Sequence, residues 1–202
     1  LISSENYLPY QRPPLSKEFI SDNLKEKQLY FKSAEYFQKN DIKILLNTSV
    51  IEINKKQNQV ILNSGEEYSY KKLVIATGSE VNKLNLSCDN NNIHYLRDLS
   101  DSLAIKNTLS KHNKIAIVGA GYIGLEIASA AIKKNLQVIV IEMDERIMGR
   151  TISKKASDFL YKKHQLYPLD EIRHQHHLNF LLRNLYQEYD LGEILYSIFL
   201  VD

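Results

Sequence analysis

Gly119, Gly121 and Gly124 stand in the spacing G-x-G-x-x-G, directly after the apolar run Lys114-Ile115-Ala116-Ile117-Val118 and directly before an alanine-rich stretch. Residues of this type at this spacing suit the binding of a dinucleotide: the first glycine permits a tight turn off a strand, the second lets the backbone approach a pyrophosphate, and the third lets helix and strand pack closely. The N–H groups around Tyr122 and Ile123, together with the positive end of the helix dipole, then face the phosphates. Glu142 ends the next apolar run, where an acid can accept both hydroxyls of an adenosine ribose and repel a 2′-phosphate, which favours NAD(H) over NADP(H). An acid at a strand end can equally be an ordinary solvated side chain, and a bare glycine pattern arises by chance, so the surrounding elements decide. A second group lies near the N-terminus, in Leu8-Pro9-Tyr10-Gln11-Arg12-Pro13-Pro14-Leu15-Ser16-Lys17. Three prolines around one arginine form a rigid loop able to present Arg12 and Lys17 to an anionic or electron-rich ligand. Composition alone favours a plain surface loop or a peptide-docking segment.

The elements needed to position the glycines are in register. A helix is predicted from Gly124 to about Lys134, with Ile127, Ala128, Ala131 and Ile132 at helical spacing, and Asn135 suits a left-handed C-cap. Gln137-Val138-Ile139-Val140-Ile141 reads as a strand buried on both faces. The whole is a βαβ unit, and its completeness favours the cofactor reading of Glu142.

Earlier in the chain, Ser16 is expected to cap a helix start, and Ser33 to cap a helix running to Asn40. Strands are predicted over residues 42–46, 49–53 and 59–62, the last two as a hairpin, with Asn63-Ser64-Gly65 as the next turn. Leu73-Val74-Ile75-Ala76 reads as a buried strand that ends in Thr77 and Gly78, where a ligand can come close. Polar residues from Ser79 to Asn92 mark a domain boundary. A helix over about 100–109 turns Leu103 and Leu109 inward. Beyond Arg146-Ile147-Met148-Gly149-Arg150, another from about Ser153 to Lys163 carries Ala156, Phe159 and Leu160 on one face.

Size and charge narrow the classes. The 202 residues, 44% hydrophobic, are enough for one large or two small packed domains. The 26 basic and 24 acidic side chains are interspersed, so no basic face argues for nucleic acid or anionic lipid. No apolar run approaches the ~20 residues of a membrane-spanning helix. The single cysteine, Cys88, allows no internal disulfide and no C-x-x-C pair, which fits a reducing, cytoplasmic compartment.

Five segments in order, LPYQRPPLSK at 8–17, LVIATGS at 73–79, YLRDL at 95–99, VGAGYIGLE at 118–126 and VIVIE at 138–142, resemble the FAD-dependent pyridine nucleotide-disulfide oxidoreductase superfamily. Within it they are most similar to the ferredoxin/rubredoxin–NAD reductase branch, with apoptosis-inducing-factor-like proteins and monodehydroascorbate reductases as relatives. The match covers roughly residues 5 to 164. It implies an α/β, Rossmann-like two-domain fold binding FAD and NAD, here incomplete: residues 1–88 as part of the FAD domain, 89–164 as part of the NAD domain and 165–202 as an unassigned tail. It also implies hydride transfer from NADH to FAD, then electron transfer to a small iron–sulfur protein, ferredoxin or rubredoxin.

By the same resemblance Lys17 lies beside the flavin, paired with Glu126. A buried ammonium there would stabilise reduced flavin, and the carboxylate would compensate it. Glu126 read alone is equally a first-turn acid complementing a helix N-terminus. Arg97 matches a flavin-contacting arginine, the Val50 backbone matches a contact to adenine, and Thr77, Gly78 and Arg12 are further FAD candidates. Gly119, Gly121, Tyr122, Ile123, Gly124 and Glu142 are the NAD candidates. Disulfide reductases of the superfamily carry redox cysteines in the 8–17 region, where this chain has none, so reduction through a protein dithiol is not expected.

Two departures stand out. The family's own FAD glycine loop is not found, which leads to the expectation of about 35 residues ahead of Leu1, the size of one βαβ unit. The stretch from Gln165 onward does not resemble the family, and the native reading is expected to be lost near Leu166. Its run Arg173-His174-Gln175-His176-His177 has no second ligand cluster and reads as a solvated polar segment with no metal bound. The apolar run 194–201 reads as a strand or helix in need of a partner.

Overall fold

The computed structural model of the chain describes residues 1–83, 93–142, 144–164 and 195–198. These form two compact units, one built from residues 1–11 and 25–79 and the other from residues 12–24 and 80–202.

The first unit holds helix α1 (Ala34–Lys39) and an antiparallel sheet, β1 (Val50–Asn54), β2 (Gln59–Leu62) and β3 (Glu67–Ser69), in that order. The hairpin predicted from sequence forms with Ile53 opposite Val60. Its turn is built by Asn54, whose side-chain oxygen accepts from the backbone of Lys56 and Gln57, and by Asn58 at φ 53°. Gly65 reverses the chain at φ 87°. Val60 and Leu62 are buried, as alternation demands. Ser33 occupies the N-cap of α1 without a side-chain cap bond. Residues 42–46 form no strand; Leu45 makes one parallel bridge to Ile2. The stretch 73–76, expected as a buried strand, is irregular and open, with Val74 85% and Ile75 66% exposed. A strand apolar on both faces is buried only between parallel neighbours covered by helices, and the described strands of this unit are antiparallel and pair elsewhere.

The second unit is a parallel sheet with helices. Strands β4 (Ile93–His94), β5 (Lys114–Val118), β6 (Gln137–Ile141) and β7 (Leu195–Ile198) lie in the order β4-β7-β5-β6. The tail strand β7 therefore runs between β4 and β5, with Ala116 opposite Tyr196. The histidine run at 174–177 lies outside the described residues. Helix α2 (Leu99–Leu109) starts at a cap that sequence reading missed: Asp98 accepts from Asp101 N–H at 2.9 Å, and Asp101 accepts in return from Asp98 N–H at 3.1 Å. Burial pushes the Asp101 carboxyl up from its ordinary pKa. Ile105 and Leu109 are buried, while Leu103 is half-buried.

Helix α3 (Tyr122–Lys133) buries Gly124, Leu125, Ile127, Ala128, Ala130 and Ala131, and Asn135 caps its end at φ 65°. Ile132, expected on the inner face, is 55% exposed. Strand β6 is not buried on both faces; Ile139 is 40% exposed, because β6 is the edge of the described sheet. Helix α4 (Lys154–His164) turns Ser157 inward, its hydroxyl donating to Ile147 O at 2.6 Å, and leaves Ala156 and Phe159 exposed. Of the three residues expected on its inner face, Leu160 packs.

Residues 12–24 belong to this unit, with Phe19 and Ile20 buried. Asp22 receives Lys106 of α2 at 2.6 Å and also Lys134 at the end of α3. Hydrogen bonds from these two ammonium groups hold the Asp22 carboxyl below its ordinary pKa.

His94 of β4 lies 3.2 Å from Thr108 Oγ1, whose one proton goes to Ala104 O at 2.9 Å, so the histidine supplies the shared proton. Burial, then the neighbouring His112, lower its pKa below 6.5. On acidification the unfolded chain takes up this proton first, so stability is lost as pH falls from the unfolded value through the lower folded one. Melting temperature is therefore expected to fall from about pH 7 to about pH 5, less steeply in His94→Gln; equal slopes would contradict the assignment.

Candidate functional site

The glycine loop sits between β5 and α3. Gly119 takes φ 102°, a region closed to most side chains, and its N–H donates to Ile141 O of β6 at 2.7 Å. Gly124 is required by packing: a Cβ there would lie 2.0 Å from the Gly119 carbonyl oxygen and 3.3 Å from the Ile117 side chain. Gly121 differs. Its φ of −80° suits any residue, and a Cβ would meet nothing within 4 Å. The fold leaves open space at the position where close backbone approach to a pyrophosphate is needed, so the loop fits a dinucleotide. The first N–H groups of α3 have no intrahelical partner and no side-chain cap. Tyr122 is 53% exposed at this end. Glu142 lies beside the loop, with Oε2 accepting from Ala120 N–H at 2.6 Å and Oε1 from Asp144 N–H at 3.0 Å.

The same first turns of α3 face a cavity of about 350 Å³ within the second unit, lined among others by Arg12, Ser16, Lys17, Arg97, Tyr122, Ile123 and Glu126. The prolines do here what their fixed φ predicts, starting a 3₁₀ turn over Pro13–Ser16. Ser102 of α2 holds that turn by donating to Leu15 O at 2.9 Å. Arg12 donates to Arg97 O at 2.7 Å. Ser16, expected as a helix cap, is buried instead and donates to Glu126 Oε2 at 2.5 Å. Lys17 Nζ lies 3.6 Å from Glu126 Oε1.

Glu126 is the fifth residue of α3, beyond its first turn, so it is not an acid complementing the helix N-terminus. The Lys17 side chain is 48% exposed. An ion pair so open to water contributes at most about 1 kcal/mol, so it serves to aim groups more than to hold the fold. Three cations against one carboxylate make the cavity attractive to anionic or electron-rich ligands. Ser16 carried no distinctive sequence signal; only its separation from Glu126 being closed by the fold gives it a partner.

Val50, Thr77 and Gly78 belong to the first unit. Val50 opens β1 and is 40% exposed, and Gly78 takes φ 70° in the irregular stretch after Ala76. Among the described residues no group of three or more His, Cys, Asp or Glu is placed to hold a metal ion.

A parallel sheet with a glycine loop entering a helix, followed by an acid closing the next strand, defines a Rossmann-like dinucleotide-binding protein. The family model for pyridine nucleotide-disulphide oxidoreductases matches residues 1–167, and the chain belongs to that family. It is 36% identical over 163 residues to a rubredoxin-NAD(+) reductase of Pseudomonas putida, a match covering 79% of this chain and 42% of the relative. Putidaredoxin reductase, solved in covalent complex with putidaredoxin, superposes with a TM-score of 0.78 at 32% identity, covering 82% of this chain and 40% of that one. NADH:rubredoxin oxidoreductase from Clostridium acetobutylicum gives 0.81 at 28% identity, covering all of this chain and 50% of that one. The chain thus spans about two-fifths of the length of the curated relatives it matches.

The two inner glycines are expected to fail differently. Gly124→Ala should destabilise the protein by about 1–3 kcal/mol in urea melts, because the Gly119 carbonyl must move. Gly121→Ala should cost less than about 1 kcal/mol yet weaken dinucleotide binding on the order of tenfold. Equal loss of stability in both would contradict this division.

Proposed function

We propose that this chain forms part of an NADH-dependent flavoprotein reductase of the cytoplasm that passes electrons to a small iron–sulfur protein of the ferredoxin or rubredoxin kind. The observation that carries the reading is the double use of α3. Its N-terminus, open above Gly121, receives the NADH pyrophosphate, while Glu126 on the next turn faces the cavity that holds Lys17, Arg12 and Arg97. The family membership and the names of the relatives support the reaction class.

In this reading Gly121, Tyr122, Ile123 and Gly124 present backbone N–H groups to the pyrophosphate, Gly119 makes the turn that aims them, and Glu142 accepts from the ribose and repels a 2′-phosphate. Lys17, aimed by Glu126, supplies positive charge at the flavin edge, with Arg12 and Arg97 beside it. Val50, Thr77 and Gly78 offer backbone to FAD from residues 1–88, and residues 89–164 carry the NADH side. Bound FAD supplies the change from two-electron to one-electron chemistry. The chain's own residues provide no dithiol relay, having one cysteine. A relative with another acceptor, such as monodehydroascorbate or oxygen, is the nearest alternative. No helix among the described residues is long and apolar enough to cross a membrane.

A second reading rests on the exposure of Val74 and Ile75 beside Thr77 and Gly78. An open apolar run of this kind suits a residual nucleotide-binding module that holds flavin weakly and does no catalysis by itself.

One experiment separates these readings. The chain is mixed with FAD, its flavin content measured, and NADH and NADPH titrated with and without a ferredoxin. The reductase reading predicts NADH binding on the order of tenfold tighter than NADPH, flavin bleaching, onward reduction of the ferredoxin, and a slower rate in Lys17→Met at unchanged NADH affinity. NADH binding without flavin retention selects the module, and preference for NADPH contradicts both.

A further inference from the structure

Ala120 is held at both ends of its own residue. Its N–H donates to Glu142 Oε2 at 2.6 Å, and its carbonyl accepts from Met148 N–H at 3.0 Å. Both partners belong to the connection that leaves β6, and that connection is cross-braced. Glu142 Oε1 accepts from Asp144 N–H at 3.0 Å, and Arg146 donates to Gly149 O at 2.6 Å and to Ile152 O at 2.8 Å. The Met148 carbonyl accepts from the N–H groups of Thr151 and Ile152, and Ser157 Oγ donates to Ile147 O. Met148 itself takes φ 52° with its side chain buried among Ala120, Leu125 and Ile147. A non-glycine residue keeps that left-handed conformation only where its surroundings over-determine it.

The need for such bracing follows from the loop. Ala120 stands between two glycines, the residues with the widest choice of φ, and a Cβ at Gly121 would touch nothing. Little within the loop itself fixes the plane of the peptide that leads into α3. We propose that Glu142 and the Arg146–Ile152 turn clamp the glycine loop in its nucleotide-ready form, so that Glu142 is a positioning residue for the pyrophosphate as well as an acceptor for ribose hydroxyls. The two roles are compatible, since a carboxylate has about four lone-pair positions. The proposal deepens the NADH reading above and rests on it.

A ribose acceptor alone and a clamp differ in what they do for NADPH. Removal of a pure ribose acceptor weakens NADH and spares or improves NADPH, whereas loss of a clamp weakens both, because both carry the pyrophosphate. Amide hydrogen exchange at Ala120 reads the clamp without any nucleotide. In Glu142→Ala the Ala120 amide should exchange on the order of tenfold faster, with the Ile115 and Ile117 amides of β5 unchanged; in Arg146→Ala, which loosens the turn but keeps the carboxylate that faces the ribose, NADH and NADPH should both bind more weakly. Glu142→Gln, with one acceptor oxygen left, should fall between and serves if the alanine variant does not fold. An Ala120 amide exchanging at the wild-type rate in Glu142→Ala, or unchanged affinity for both dinucleotides in Arg146→Ala, overturns the clamp. If the unmutated chain binds neither dinucleotide, the NADH reading fails, while Ala120 exchange still decides the clamp.

Discussion

The approach of α3 to β5 governs the rest of the second unit. At Gly124 the helix lies so near the Gly119 carbonyl that a methyl group would sit 2.0 Å from the oxygen. This closeness points the start of α3 out of the carboxyl end of the sheet, where a parallel α/β sheet places its ligands. It also fixes the phase of the helix, so that Leu125, Ile127 and Ala128 go to the core while Tyr122 and Glu126 face the cavity. One steric constraint thereby sets the direction of the N–H groups and the position of the carboxylate that meets Lys17.

Charge then shapes what the packing has placed. Glu126 is served from both sides, by the Ser16 hydroxyl and by the Lys17 ammonium, and it draws the 3₁₀ turn against α3. Asp22 repeats the device further along the same segment, joining Lys106 of α2 to Lys134 of α3. Water reaches both clusters, so their worth to stability is small. The buried Phe19 and Ile20 hold residues 12–24 in place, and the charge pairs aim the segment, which sets where Arg12 and Lys17 stand.

Much of this was legible wherever the necessary residues are contiguous. The βαβ unit from Lys114 to Glu142 falls within one stretch of chain, so its glycines, cap and acid can be read in order, and Asn135 takes the left-handed cap expected of it. The pairing of Lys17 with Glu126 crosses more than a hundred residues; it came from family resemblance, and no local pattern encodes it. Ser16 was missed for the same reason. Burial was misjudged where it depends on neighbours: Leu73 to Ala76 is apolar enough for a central strand, yet no described strand flanks it, and β6 is an edge of the described sheet. In α4 the apolar spacing pointed to Ala156 and Phe159, whereas the buried position is Ser157, a small polar residue made to fit by a hydrogen bond to Ile147 O. The insertion of β7 between β4 and β5 pairs the tail with strands far away in sequence, and periodicity carries no information of that kind.

Backbone amide shifts followed by NMR during an NADH titration test the central claim most directly, since they report where the nucleotide sits without relying on turnover. The account predicts that the largest changes fall on Gly121, Tyr122, Ile123 and Gly124 at the start of α3 and on the Ala120–Glu142 contact. Saturable shifts confined to other residues, with these amides unmoved, would contradict it.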